Sequence, residues 1–140
     1  MKFRYTSTLV PDTRGKMTKR PVLELELLNA RGEFVRNGFA LVDSGADTTM
    51  VNSRYASLLG VDLTHARTRA MAGIAKGGVP TQVASLRFRI KGSADAVEIP
   101  ALYIDSENVD ILLGQEVFFD THKIKFEKDH DVFEITKVKK

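Results

Sequence analysis

The chain contains no cysteine. That excludes a disulfide, a thiolate zinc site and a cysteine nucleophile together. No apolar run approaches the roughly 20 residues of a membrane span. The opening residues, Met1-Lys2-Phe3-Arg4-Tyr5-Thr6, put charges where a secretory leader needs an apolar core. The expectation is therefore a cytoplasmic protein with no membrane contact. Glycine numbers 10, far from a collagen share, and no heptad persists. Internal repeats, low-complexity tracts and linkers are absent. Neither sign of charge dominates, since 21 Lys and Arg face 18 Asp and Glu for a net charge of +3. That balance does not point to nucleic acid. With 43% hydrophobic and 28% charged residues, the composition is that of a folded globular protein rather than a disordered one. The length of 140 residues fits one domain spanning 1–140.

Short strands are the main pattern. Phe3 and Tyr5 alternate with polar neighbours until Pro11-Asp12-Thr13-Arg14-Gly15 interrupts them. From Val22 to Leu28, Leu23, Leu25 and Leu27 alternate with Glu24 and Glu26, which predicts a strand with one buried face. Asn29-Ala30-Arg31-Gly32 follows as a turn. Phe39 to Val42 is a short apolar run suited to a buried strand. Leu86, Phe88 and Ile90 alternate with Arg87, Arg89 and Lys91, and further strands are expected over Val97 to Ile104 and Val132 to Val138. Helix signals are sparse. Asn52 or Ser53 caps a short helix reaching Leu59 and stopped by Gly60, and a second short helix runs from Gln115 to Phe119. The expected fold class is all-β with one or two short helices.

The chemistry gathers at Phe39-Ala40-Leu41-Val42-Asp43-Ser44-Gly45-Ala46-Asp47-Thr48, where an apolar strand runs directly into a carboxylate. A carboxylate drawn inward must be paired, hydrogen-bonded or protonated. Ser44 offers a hydroxyl, and Gly45 permits a tight turn that brings backbone amides to Asp43. Such a group serves as general base or acid toward water. The tripeptide alone fits an ordinary turn equally well. A second apolar strand, Val109-Asp110-Ile111-Leu112-Leu113, ends at Gly114-Gln115. Between the two lies Arg69-Ala70-Met71-Ala72-Gly73-Ile74-Ala75-Lys76-Gly77-Gly78-Val79, a glycine-rich stretch that reads as a long mobile hairpin.

Together these segments resemble the retropepsins, the retroviral-type aspartic proteases, over roughly Val22 to Phe126. The resemblance implies a closed barrel with a psi-loop and a flap hairpin. It also implies an aspartic endopeptidase that needs no cofactor or metal. Asp43 matches the catalytic aspartate. Ser44 matches the residue whose hydroxyl bonds across a dimer, and Gly45 the glycine whose carbonyl meets substrate backbone. Ala46, Asp47 and Thr48 match the cleft lining, Gly73 and Ile74 the flap tip, and Leu112 a subsite wall. Two positions depart from the family pattern. Gln115 stands where many retroviral members have an arginine that pairs with the acidic residue at the Asp47 position. Lys76 interrupts the flap glycines.

The mechanism needs two carboxylates sharing a proton. The nearest second copy, Leu102-Tyr103-Ile104-Asp105-Ser106-Glu107, has Glu where the glycine is required. One motif per chain implies a homodimer with the site on the two-fold axis and a peptide or protein as substrate. Edge strands near Phe3-Tyr5 and Val132-Val138 are candidates to pair across it. The alternative is an inactive binding or assembly module of the same fold. His65, His122 and His130 show no metal-ligand spacing and are expected at the surface. Gly-x-Ser-x-Gly is absent around Ser44, and no Gly-Lys-Ser/Thr follows residues 73–78, which excludes a serine hydrolase elbow and a phosphate loop. Arg67, Arg69, Arg87 and Arg89 are expected on a solvated strand face.

Overall fold

The computed structural model describes residues 1–71 and 79–138. Its strands are β1 (Lys2–Arg4), β2 (Thr6–Pro11), β3 (Met17–Arg20), β4 (Val22–Leu28), β5 (Phe34–Val42) and β6 (Thr49–Asn52), followed by helix α1 (Arg54–Leu58). Then come β7 (Thr68–Met71), β8 (Val79–Ile90), β9 (Ala96–Ile104), β10 (Ile111–Leu113), an irregular helical turn (Gln115–Phe119), β11 (His122–Glu127) and β12 (Val132–Lys137). Strands dominate, as the sequence predicts. No helix among the described residues is long and apolar enough to cross a membrane.

The pairing order β4-β5-β10-β6-β9-β8 returns to β4 through a β4–β8 ladder, so six strands close a barrel. Closure removes the open edges that a flat sheet exposes. The period-two patterns set which faces turn inward. Leu23, Leu25, Leu27, Leu86 and Phe88 are fully buried, and Ala40, Val42, Ile99 and Ala101 join them in one core. Burying each large apolar side chain contributes about 1.5–3 kcal/mol. Phe39 is the exception in its apolar run. It lies on the opposite face of β5 from Ala40 and is 55% exposed.

The outer face of β4, β8 and β9 carries paired charges rather than free ones. Lys91 meets Glu24, Arg89 meets Glu26 at 3.1 Å, and Arg87 meets Glu98 at 3.2 Å. Arg87 and Arg89 are thus partly covered and neutralised across strands, whereas Arg67 and Arg69 are exposed as expected. At the 29–32 turn, the Asn29 side chain accepts the Arg31 and Glu33 amides, and Gly32 takes φ +80. Helix α1 is anchored by Asn52, whose Oδ1 accepts the Arg54 amide while its Nδ2 donates to the Ser106 and Val109 carbonyls. Ser53 makes no side-chain cap.

Two sheets lie outside the barrel. β1, β12 and β11 form one, with Phe3 stacked on Phe133 at 5.3 Å between ring centroids. β12 is its central strand rather than an edge, with β11 along one side and β1 over Val132–Glu134 on the other. That corrects the expectation that residues 132–138 form an edge. β2 and β3 form the other, a hairpin paired only with itself.

Candidate active site

β5 and β10 run parallel, Leu41 beside Leu112 and Val42 beside Leu113. β10 also pairs antiparallel with β6, so this short strand is clamped between two others. The two parallel strands end together, β5 at Asp43 and β10 at Gly114. The Asp43 amide donates to the Leu113 carbonyl at 2.9 Å, extending the ladder by one bond to the carboxylate itself.

The loop after Asp43 is fixed almost entirely by backbone. Asp43 Oδ1 accepts the Gly45 amide at 2.9 Å, and the Asp43 carbonyl accepts the Ala46 amide at 3.2 Å. The Gln115 amide donates to the Ala46 carbonyl at 2.8 Å, and the Glu116 amide to the Asp47 carbonyl at 2.9 Å. The Gln115 side chain donates to the Ser44 carbonyl. Gly114 has to be glycine. A Cβ there would lie 2.5 Å from the Thr48 carbonyl carbon and 2.8 Å from the Ala46 oxygen. The Gly114 amide donates to the hydroxyl of Thr49, a fully buried threonine, at 3.1 Å.

Asp43 itself is half-buried, and its Oδ2 has no hydrogen-bond partner among the described residues. One carboxylate oxygen is therefore held by the loop and the other is available. Ser44, Gly45 and Asp47 are exposed beside it, and Ala46 and Thr48 are half-buried. A concave surface opens next to Asp43, walled by Arg20, Pro21, Leu41, Ser44 and Phe126. Leu112 packs against the cluster of Met50, Leu102, Ile104 and Val109. The structure thus gathers residues 43–48 in one loop and sets Leu112 on the adjoining strand, beside Leu41. The flap expected over 71–79, with Gly73 and Ile74 at its tip, lies outside the described residues except at its two ends. There the Met71 and Val79 backbones pair antiparallel.

Behind the site, the Gln115–Phe119 segment departs from a regular helix. Glu116 is extended and Val117 has φ 66, a conformation that costs a β-branched residue energy. Thr121 donates to the Val117 carbonyl at 2.7 Å, and Asp120 Oδ2 accepts the Val117 amide at 3.1 Å. His122 closes this support. It is 5% exposed, not at the surface as expected, and its ring stacks on Phe118 at 4.7 Å. Burial holds its pKa below the usual histidine value, partly offset by the Phe118 carbonyl beside Nδ1 at 3.2 Å, with Lys137 lowering it further. His65 and His130 are exposed.

Four neighbours of Asp43 take places that the sequence does not signal. The contacts of the Thr49 hydroxyl and the Gln115 side-chain amide have no sequence signal, because β10 brings residues 65 and 71 positions apart together by pairing with both β6 and β5. Arg20 and Phe126 reach the site for the same reason, as the ends of strands from distant parts of the chain.

No curated protein matches the chain by sequence. A retropepsin-like aspartic protease from Rickettsia conorii superposes with a TM-score of 0.54 at 18% identity, covering 94% of this chain and 93% of that one. The retroviral protease-like domain of Ddi1 from Leishmania major gives 0.57 at 15% identity, covering 85% and 90%. What these two share with the chain is the retropepsin-like fold. A family model described as aspartyl protease matches residues 36–117, the stretch from the middle of β5 through the turn that clamps the Asp43 loop. The chain therefore belongs to the aspartyl protease family.

Proposed function

We propose that the protein is an aspartic endopeptidase whose active site forms between two copies of the chain, each supplying one Asp43. The observation that carries this reading is the placement of Asp43. It stands at the end of a parallel strand pair with one oxygen bound to Gly45 and the other open to the concave surface. Two such carboxylates in contact cannot both ionise, so they share one proton. The ionised member removes a proton from a water molecule as its oxygen attacks the peptide carbonyl carbon. The protonated member donates to the carbonyl oxygen. Collapse of the tetrahedral intermediate returns that proton to the dyad, and the leaving nitrogen departs as an amine after protonation. No metal or cofactor enters these steps.

In this reading Ser44 and Gly45 support the dyad, while Ala46, Asp47, Thr48 and Leu112 line the substrate channel. The β5–β10–β6 arrangement is the psi-loop, and Gly73 and Ile74 belong to a flap that covers the peptide. Gln115 departs from the arginine of many retroviral members, and its amide binds the Ser44 carbonyl of its own chain. The loop is thereby held within the protomer.

The test is cleavage of an unfolded protein mixture across pH, with Asp43→Asn as the comparison. Wild type cleaves, and the variant loses at least about a thousandfold in rate because an amide neither removes a proton from water nor shares the dyad proton. The rate per molecule should fall on dilution, as a shared site requires. Equal proteolysis by Asp43→Asn would overturn the reading. A strictly monomeric active enzyme would overturn its dimeric part.

A further inference from the structure

The β2–β3 hairpin and the turn at residues 128–131 face each other across a second concave surface, walled by Arg14, Lys16, Lys19, Arg20 and Lys128, with Asp12 and Asp131. Five cations stand against two carboxylates there, so this one surface holds a charge excess equal to that of the entire chain. The carboxylates are already engaged. Asp12 binds Arg14 at 3.2 Å, and Asp131 is shared by Lys19 at 3.6 Å and Lys128 at 2.9 Å. Lys16 and Arg20 have no carboxylate partner among the described residues. The groove lies next to the candidate active site. Arg20 is a wall of both, and β3 leads away from it along the groove.

We infer that this groove continues the substrate channel and binds an acidic stretch of the same peptide whose scissile bond lies at Asp43. The inference rests on the peptidase reading above. An extended peptide rises about 3.3 Å per residue, so one passing Arg20 reaches Lys16, four positions along the hairpin, about 13 Å farther on. The fitting substrate carries one Asp or Glu close to the reacting bond, opposite Arg20, and another about four residues beyond. In a two-fold dimer each protomer brings one groove, so acidic positions flank the bond on both sides. A nucleic acid fits less well. Among the described residues no base-stacking aromatic lines the groove, and the two carboxylates would repel a phosphate chain.

The experiment uses two arms. In the first, a dodecapeptide with an apolar central hexad and Glu in both flanks is compared with its Gln twin as substrate for the wild type. The Glu peptide is cleaved with kcat/KM about tenfold higher at low salt, mostly through KM, and the ratio collapses toward one in Lys16→Gln/Lys128→Gln and in 0.5 M NaCl. In the second, the same peptides, fluorescein-labelled, are titrated with Asp43→Asn protein. The Glu peptide binds about tenfold more tightly, again lost in the double substitution. Cleavage of both peptides at equal rates overturns the groove and leaves the peptidase intact. Selective binding of the Glu peptide without any cleavage overturns the peptidase and keeps the groove. Tighter binding of a single-stranded thymidine oligonucleotide, displacing the Glu peptide, overturns the inference in favour of nucleic acid.

Discussion

The Asp43 loop and the β2–β3 hairpin are both excursions from the barrel, and they are held in opposite ways. The loop puts few side chains into the core. Yet the carbonyls of residues 43, 44, 46 and 47 each accept a hydrogen bond from within the loop or from the segment after β10. Among the described residues the hairpin has strand hydrogen bonds only to itself, and Leu9 is 95% exposed, with Val10 and Met17 also in solvent. A two-stranded ribbon of this kind is marginal by itself in water. The loop shows a carboxylate positioned by over-determined backbone, with one of its oxygens left without a hydrogen bond among the described residues. The hairpin shows the other strategy, in which charge is displayed on a scaffold that contributes little to the fold.

Substitutions should separate the two regions in order of effect. The largest is expected for Gly114→Ala. Its Cβ collides with the Thr48 backbone, which cannot move without breaking the loop. A loss of about 3 kcal/mol or more in urea unfolding is expected, together with loss of proteolysis. Tolerance of alanine there would mean the loop is far softer than its hydrogen bonds imply. Thr49→Val keeps the shape and removes the acceptor for the buried Gly114 amide. It should cost about 1–3 kcal/mol, read from the same unfolding curves.

His122 tests the support from behind. Its folded pKa is lowered by burial, so the unfolded chain binds the proton more readily. Stability is present above the unfolded value of about 6.5 and is lost progressively as pH falls below it. Urea midpoints measured from pH 8 to pH 5 should show this decline, and His122→Gln should flatten it. An unchanged decline would assign the acid sensitivity to other groups. The smallest effect belongs to the hairpin, where Leu9→Ser should shift stability by no more than about 0.5 kcal/mol. A large loss would show that Leu9 is covered by something in solution, which would erase the contrast.

The sequence carried much of this organisation where a local pattern existed. The leucines of β4 and the alternation of β8 are direct readings of the pleat, and Asp43-Ser44-Gly45 with Leu112-Leu113-Gly114 marked the two strand ends that meet. Other elements lacked such a pattern. β6 is buried along its whole length, so it does not alternate, and Thr49 looks like an ordinary loop residue until β10 is placed beside it. β2 and β3 are largely polar, with apolar residues in solvent, so hydrophobic periodicity had nothing to report. β11 does alternate, Ile124 and Phe126 against Lys123 and Lys125. His122 ended in the core because β11 begins where the turn packs Phe118 on the barrel, a tertiary event.

The clamp on the Asp43 loop also sets a clock during synthesis. The amides that fix residues 46 and 47 come from Gln115 and Glu116, so β10 and the turn after it must leave the ribosome before the loop can take its final form. A nascent chain that has exposed Asp43 but not β10 lacks the strand that aligns it. The carboxylate is thereby aligned only after β10 and the turn behind it have emerged, well after Asp43 itself.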